Sequence, residues 1–279
     1  MTERQHTLRE RLVYEGVGLH TGADCRVALH PQPADSGVSF RLAGGKVVFP
    51  ALAEYVVETK RATVLGSDGT TVSTVEHLMA ALFAMGVDNV AIEVDGPEIP
   101  VLEGSSSTYA QAFEATGIVE QPVERRVVRL AEPLAIRDGD AVVVLLPADA
   151  WRVRFAVDFP APVGAQFFDG TIDARLFVDE IAGARTFGYL REVQALLDRG
   201  LARGGSLDNA LVFDDDGPMT PLRWPNEVVR HKVLDLIGDF SLLGGWPQFE
   251  VIAVKSGHKL HARAVAHVRA LAPAAAATR

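Results

Sequence analysis

A short helix-and-strand unit occurs twice in this chain of 279 residues. In the first copy, Val75-Glu76-His77 opens a predicted helix, and the predicted strand 89–94 follows it. In the second copy, Val229-Arg230-His231 opens a predicted helix, and the predicted strand 249–254 follows. The repeat predicts two similar units, and the chain is long enough to form two modest domains. A pseudo-twofold relation between the units would bring two helix starts, each with a histidine, towards one interface.

Turn signals separate short β-branched runs along the chain, a pattern typical of hairpins and antiparallel strands. These signals are Asp35-Ser36-Gly37, Gly66-Ser67-Asp68-Gly69 and Arg137-Asp138-Gly139-Asp140. Helices are predicted from Ser73 to Met85, from Tyr189 to Asp198 and over 226–240. The mixture predicts an α+β fold. We place the domain boundary in the charged stretch near residue 122, which gives domains 1–122 and 123–279.

Composition limits the classes of function. No run of about 18 apolar residues is present, and the N-terminus lacks an apolar secretory core, so we expect a cytoplasmic protein without a transmembrane segment. The net charge of -9 argues against nucleic acid as a partner. The single cysteine, Cys25, excludes an intramolecular disulfide and a multi-cysteine zinc motif, so a metal would need His and carboxylate ligands. We expect a monomer with a frayed Ala-rich tail after Leu271.

His231, Asp235 and Asp239 follow one another at intervals of four residues in the second predicted helix. Residues at this spacing share one helix face, so an imidazole and a carboxylate one turn apart can bind the same metal ion. An ordinary solvated helix face has the same spacing, and for these three residues alone it is the favoured interpretation. The apolar residues around them favour the metal, because unpaired carboxylates are rarely placed in apolar surroundings.

Two interpretations compete at Ser73-Thr74-Val75-Glu76-His77. Ser-x-x-Glu before an apolar run is typical of a capping box, in which the Glu76 carboxylate accepts from the backbone amide of Ser73. In the alternative, His77 binds a metal and Glu76 receives a proton from the reacting water. The two interpretations differ in where the Glu76 side chain points.

His258 lies in the segment 255–259, directly after the second predicted strand. A histidine on such a loop can face a cleft or the solvent. A carboxylate from Asp239 behind His258 would raise the pKa of the imidazole and keep it protonated as a general acid. Metal ligands, a carboxylate base and a cationic acid together form the apparatus for hydrolysing an amide or an ester.

Seven blocks of sequence resemble, in the same order, the zinc-dependent UDP-3-O-acyl-N-acetylglucosamine deacetylases, which catalyse the committed step of lipid A synthesis. The blocks are Gly16-Val17-Gly18-Leu19-His20-Thr21-Gly22, Ser73-Thr74-Val75-Glu76-His77-Leu78, Gly96-Pro97-Glu98-Ile99-Pro100, Ala184-Arg185-Thr186-Phe187-Gly188, Gly204-Gly205-Ser206, Arg230-His231-Lys232-Val233-Leu234-Asp235 and Lys255-Ser256-Gly257-His258. The resemblance extends from about residue 7 to residue 270. It is weaker across 40–62 and 160–180.

The resemblance implies removal of the N-acetyl group from UDP-3-O-(3-hydroxyacyl)-N-acetylglucosamine with one catalytic Zn²⁺ ion. The implied metal ligands are His77, His231 and Asp235. The implied catalytic residues are Glu76 as general base, His258 as the acid that protonates the leaving amine, Asp239 as the partner of His258, and Thr186 at the developing oxyanion. The implied substrate-binding residues are Lys232 and Phe187, with Asp158 and Phe159 in the region that contacts the uridine.

The resemblance also implies a fold of two similar layered domains, each with a β-sheet packed on helices and with the active site between them. The second domain would carry an insert near 187–214 that lines a hydrophobic passage for the acyl chain. Ordinary core packing explains the leucines of this insert equally well. His20 belongs to a matching block but receives no chemical role, and no fused dehydratase domain is expected.

Two other functions stay open from the residues. Two histidines and one carboxylate also form the metal site of non-haem iron oxygenases. These enzymes usually have an all-β barrel and need neither Glu76 nor His258. A non-catalytic sugar-nucleotide binding protein would keep Lys232 but would not need the base, the acid and all three ligands together.

Overall fold

The computed structural model describes residues 3–42, 44 and 48–271, so the predicted frayed tail from 272 onward lies outside the described residues. The first half of the chain contains strands β1 (Arg4–Leu8), β2 (Leu12–Val17), β3 (Asp24–Pro31), β4 (Val38–Leu42), β5 (Val48–Pro50), β6 (Val56–Glu58), β7 (Val64–Ser67), β8 (Thr70–Val72), β9 (Val90–Asp95) and β10 (Ile118–Glu124). Its helices are α1 (Glu76–Ala84), α2 (Ser107–Thr116) and a short 3-10 turn over Ala53–Tyr55.

The second half is built from the same kinds of element. Its strands are β11 (Val127–Arg129), β12 (Leu134–Asp138), β13 (Ala141–Pro147), β14 (Arg152–Phe159), β15 (Gly164–Thr171), β16 (Phe187–Tyr189), β17 (Leu211–Phe213) and β18 (Trp246–Val254). Its helices are α3 (Ala174–Leu176), which continues as a π-helix over Phe177–Ile181, α4 (Leu190–Leu197), α5 (Glu227–Ser241) and α6 (His258–Leu271).

The two main sheets have the same topology. The first sheet has the strand order β2-β3-β9-β4-β5, and the second has β12-β13-β18-β14-β15, with β11 added beside β18. In the first sheet β9, which follows α1, is antiparallel to β3 and parallel to β4. In the second sheet β18, which follows α5, is likewise antiparallel to β13 and parallel to β14. The predicted internal repeat and the α+β fold are therefore confirmed.

Alternation of apolar and polar residues explains how these sheets are covered. Along β18, buried and half-buried residues alternate without a break, with Phe249, Val251 and Ala253 on the buried face. This period of two is typical of a sheet with one face on the core. Buried residues of both halves, including Phe40 and Phe249, form one continuous hydrophobic cluster.

Helices α1 and α5 pack against each other, and α5 also packs on β14 and β15 of the second sheet. Their backbones approach so closely that a Cβ atom on Gly238 would lie 2.2 Å from the carbonyl oxygen of Glu76. A glycine is therefore required at this crossing, since any other side chain would push the helices apart. The crossing brings the start of α1 beside the middle of α5.

Most local predictions agree with the structure, and one turn differs. Residues 66–69 and 137–140 connect antiparallel neighbours, so these two hairpins are confirmed. Asp35-Ser36-Gly37 does not form a hairpin, because β9 lies between β3 and β4. The predicted helix at Ser73 starts three residues later, at Glu76. Helix α4 differs from its predicted limits by one residue at each end.

The division into domains 1–122 and 123–279 stays a prediction, and its boundary falls inside β10, which pairs with β1. Within the described residues, no helix combines the length and the apolar character needed to cross a membrane.

Candidate active site

Three predicted ligands from both halves of the chain meet where α1 crosses α5. The Nε2 atom of His231 lies 3.4 Å from Oδ1 of Asp235, and Nε2 of His77 lies 3.9 Å from the same oxygen. All three candidate ligand atoms lie within 4.8 Å of one another, and all three side chains are buried. Two imidazoles and a carboxylate in this arrangement are able to hold one metal ion.

Neighbouring groups fix two of these ligands. Nδ1 of His231 lies 3.0 Å from the carbonyl oxygen of Ala184. Because a carbonyl only accepts, Nδ1 carries the proton and Nε2 presents its lone pair to the site. The Nζ atom of Lys232 donates to Oδ2 of Asp235 at 2.6 Å, which leaves Oδ1 facing the two histidines.

The protonation states of the three candidate ligands suit a metal. Burial lowers the pKa of His77 to about 3, and the adjacent His231 adds to the effect. Burial also lowers the pKa of His231. For Asp235, burial opposes ionisation, but Lys232 and the neighbouring imidazoles hold the pKa well below its usual range. Neutral imidazoles and an ionised carboxylate are the forms that bind a metal.

The Glu76 carboxylate points into the site, and the capping-box interpretation is wrong. Its Oε2 atom accepts from the backbone amide of Thr63 at 3.0 Å, whereas the amide of Ser73 donates to the carbonyl of Pro97. Helix α1 starts at Glu76 itself, and its N-cap makes no side-chain hydrogen bond. Glu76 is therefore free of the capping role and lies beside the candidate ligands.

His258 lies opposite Glu76, with its Nε2 atom 3.7 Å from Oε1 of that carboxylate and 3.9 Å from Oδ2 of Asp235. On its other side, Nδ1 of His258 donates to Oδ2 of Asp239 at 2.8 Å. The same oxygen accepts from Nδ1 of His261, also at 2.8 Å. Asp239 thus lies behind His258, in the position that the family resemblance implies.

Burial and charge place a base and an acid in complementary states. Burial raises the pKa of Glu76 to about 7, and the charge of His258 opposes this shift. Burial disfavours the charged form of His258, but three neighbouring carboxylates, led by Asp239, outweigh it and raise its pKa to about 9. His258 is therefore protonated at neutral pH, where Glu76 is able to exchange a proton.

A cleft of about 320 Å³ opens onto these groups. Thr186, Phe187, Lys232 and Phe159 all line it together with the histidines and Glu76. The rings of Phe159 and Phe187 meet edge to face, with centroids 5.1 Å apart. Asp158 does not line the cleft, and its carboxylate instead pairs with Nζ of Lys255 at 2.9 Å.

Comparison with known proteins identifies the family. The family model described as UDP-3-O-acyl N-acetylglycosamine deacetylase matches residues 5–270. The chain belongs to this family. A protein named UDP-3-O-acyl-N-acetylglucosamine deacetylase from Myxococcus xanthus is 45% identical, over 95% of this chain and 86% of its own length. Proteins of the same name from Phenylobacterium zucineum and Nostoc sp. are 44% and 42% identical, and the matches cover 93% and 99% of their lengths. The comparisons give no support to an iron oxygenase or to a non-catalytic binding protein.

Two site residues of this deacetylase-family chain were missed from the sequence. Thr63 contacts Glu76 and Asp239, yet no motif marks it. His261 follows His258 by three residues on α6, and that spacing places two imidazoles on one helix face. This signal was readable from the sequence. Arg61 and His20 also line the cleft.

The segment 187–214 forms a small layer of its own in this member of the family. Strands β16 and β17 pair in parallel, and Tyr189, Leu211 and Phe213 form a hydrophobic cluster separate from the main core. Helix α4 has no fully buried residue, and Leu190 is 48% exposed. Core packing therefore accounts for Leu211 but not for the leucines of α4.

Proposed function

We propose that the protein is a zinc-dependent amide hydrolase that removes the N-acetyl group from UDP-3-O-(3-hydroxyacyl)-N-acetylglucosamine, the committed step of lipid A biosynthesis. The observation that carries the proposal is the meeting of His77 with His231 and Asp235, flanked by Glu76 and His258. The relatives carry the name of this deacetylase over nearly the whole chain. The products are the free amine and acetate.

The donor set fits Zn²⁺. Two neutral imidazoles and one carboxylate are a ligand set of catalytic zinc sites, and the hydrogen bond from His231 to Ala184 is the kind of support such ligands receive. We propose His77, His231 and Asp235 as the ligands of one ion. Zn²⁺ held there would act as a Lewis acid towards the acetamide carbonyl.

The proton transfers follow from the positions of Glu76 and His258. Glu76 takes a proton from the attacking water, whose oxygen forms a bond to the carbonyl carbon of the acetamide. The protonated His258, supported by Asp239, then donates a proton to the nitrogen as the carbon–nitrogen bond breaks. A neutral amine leaves far more readily than an amide anion. We assign Thr186, which lines the cleft, to the oxyanion that develops on the carbonyl.

Other side chains of the cleft are assigned to substrate binding. Lys232 is cationic, lines the cleft and suits an anionic part of the nucleotide sugar. Phe187 and Phe159 offer aromatic faces, and we assign Phe159 together with Asp158 to the uridine region. We propose that the exposed leucines of the insert near 187–214 line the passage for the acyl chain.

The organisation into domains 1–122 and 123–279, the monomeric state and the cytoplasmic location remain parts of the proposal. The change from β10, which pairs with β1, to β11, which pairs with β18, supports a boundary near this position. Sedimentation of the purified protein tests the monomer.

The decisive experiment measures release of acetate from UDP-3-O-acyl-N-acetylglucosamine by the zinc-loaded protein. We expect turnover that is lost on chelation and restored by Zn²⁺. The Glu76→Gln variant should keep its zinc and lose about 100- to 10,000-fold in turnover, because it removes the general base but no ligand. Absence of acetate release from the zinc-loaded wild type would refute the proposal, and turnover that requires oxygen would favour an iron oxygenase.

A further inference from the structure

Thr63 lies directly before β7 and contacts groups from both halves of the site. Its side chain and backbone are buried, with 1% of the residue exposed. Its backbone amide donates to Oε2 of Glu76 at 3.0 Å. Its hydroxyl donates to Oδ1 of Asp239 at 2.5 Å, and the same hydroxyl oxygen lies 3.2 Å from Nδ1 of His258. One residue of the first half thus holds both the proposed base and the carboxylate behind the proposed acid.

We propose that Thr63 is a positioning residue, whose hydroxyl fixes the Asp239 carboxylate and through it the aim of the His258 imidazole. The inference rests on the proposed function, since it assigns Thr63 a part in the same hydrolysis. Thr63 acts through Asp239 and Glu76 and is assigned no contact with the substrate.

The two oxygens of Asp239 have different partners, and this difference gives Thr63 its importance. Oδ2 accepts from the Nδ1 atoms of His258 and His261, both at 2.8 Å. Oδ1 accepts from Thr63, and among the described residues no second donor reaches it. Rotation of a carboxylate about its last side-chain bond is soft. A carboxylate held at Oδ2 alone is therefore free to turn, and His258 would turn with it.

The other side of the carboxylate is already fixed. His261 is fully buried, and its Nε2 atom lies 2.8 Å from Oγ of Ser256. Burial lowers the pKa of His261, so its ring is neutral and Ser256 donates to Nε2. Ser256, His261 and Asp239 thus form a chain that lies entirely in the second half. The hydrogen bond from Thr63 is the contact through which the first half fixes the rotation of the Asp239 carboxylate about its last side-chain bond.

The substitution Thr63→Val separates the effect of the hydroxyl from the effects of the backbone amide and of side-chain volume. Valine has nearly the same shape as threonine and keeps the backbone amide that holds Glu76, but it leaves Oδ1 of Asp239 buried without a donor. Serine keeps the hydroxyl and loses only a methyl group. Thr7→Val is the matched control, because the buried hydroxyl of Thr7 donates to the carbonyl of Asn89, away from the cleft.

The experiment compares the wild type, Thr63→Val, Thr63→Ser and Thr7→Val, all loaded with zinc, for kcat, KM, zinc content and thermal unfolding. We expect kcat of Thr63→Val to fall about 10- to 100-fold, in the range for residues that orient active-site groups from behind. KM should stay within about twofold and zinc should stay stoichiometric, because no ligand or substrate contact changes. Thr63→Ser should recover most of the activity, and Thr7→Val should keep the wild-type kcat.

Each other outcome has a defined meaning. A wild-type kcat for Thr63→Val would overturn the inference. A loss of bound zinc in Thr63→Val would also overturn it. The same holds if Thr7→Val loses kcat and stability to the same extent as Thr63→Val. If Thr63→Val does not fold, the pair Thr63→Ser and Thr63→Ala, which differ by one oxygen, decides in its place. Failure of the proposed function itself is distinct, since the wild type would then release no acetate.

Discussion

The two halves of the molecule share one topology but contribute different chemistry. When His77 of α1 is aligned with His231 of α5, Ala81 takes the place of Asp235 and Met85 takes the place of Asp239. Both helices therefore have a histidine at this position. On the next two turns, α5 has the carboxylates of Asp235 and Asp239, whereas the first half has apolar residues. The first half adds the Glu76 carboxylate, where the second half has Arg230.

The difference shows how a repeated unit produces an asymmetric site. The shared strand order places α1 and α5 face to face, and the close contact at Gly238 sets their separation. Differences between these two helices, together with His258 at the start of α6, then divide the proposed duties, with the base on one half and the acid on the other. A metal at this position would be bound by both halves and would link them.

The strongest test of this division removes one ligand from each half. We expect His77→Ala and Asp235→Ala each to lose bound zinc and to lower the rate of acetate release by at least about 10,000-fold, equivalent to more than about 5 kcal/mol. The physical reason is the same in both variants, because two remaining ligands hold the ion too weakly. Metal analysis after dialysis, together with the acetate assay, checks the prediction. Retention of stoichiometric zinc by His77→Ala would show that the second half alone holds the ion, and retention by Asp235→Ala would show that the two histidines suffice.

A second contrast concerns the buried carboxylate that each half uses to hold a loop beside the cleft. In the first half, the donors to Glu98 among the described residues are all neutral, namely the amides of His20 and Thr21 and the hydroxyls of Thr21 and Thr74. In the second half, Glu227 forms an ion pair with Arg185 at 2.8 Å, and Glu227 is fully buried.

These two carboxylates should respond differently to replacement by glutamine. We expect Glu227→Gln to lower the free energy of unfolding by about 3 to 5 kcal/mol, because it leaves the Arg185 cation buried without its partner. Glu98→Gln leaves no charge unpaired and should cost about 1 to 3 kcal/mol. Urea unfolding monitored by circular dichroism measures both values. Equal losses would mean that the charge of Arg185 makes no difference at this site.

Sequence spacing predicted the parts of the site that lie on one helix. The helical repeat alone places His231, Asp235 and Asp239 on a shared face, and the internal repeat indicated that His77 would meet them. Thr63 was not predictable in this way, since it is 176 residues from Asp239 in the chain and contacts it only after the two halves pack. Such a contact leaves no periodic pattern in the sequence.

The direction of side chains and the pairing of strands were harder to predict than the elements themselves. Ser73 and Glu76 satisfy the sequence rule for a capping box, but the fold starts α1 at Glu76 and turns its carboxylate towards Thr63. Asp35-Ser36-Gly37 has turn chemistry, yet its flanking strands are separated by β9, which comes much later in the chain. Tertiary packing determines both outcomes.

The contact between the two central helices provides a third test. In Gly238→Ala, the added methyl group would meet the backbone of Glu76 at 2.2 Å, so α1 and α5 must separate. We expect a net loss of about 1 to 3 kcal/mol in unfolding free energy, even though alanine favours a helix over glycine. Differential scanning calorimetry measures the loss. A more stable variant would show that the helix crossing tolerates a wider separation.

The smallest effect is expected where the halves meet at the surface. Arg61 of the first half lies on the rim of the cleft and pairs with Glu192 of α4 at 3.1 Å, but the two side chains are 50% and 41% exposed. Water screens such a pair, and ordering two long side chains opposes it. A double-mutant cycle with Arg61→Ala and Glu192→Ala should therefore give a coupling energy below about 1 kcal/mol, and added salt should reduce it further. A coupling of several kcal/mol would mean that this exposed pair, as well as the buried groups around α1 and α5, holds the halves together.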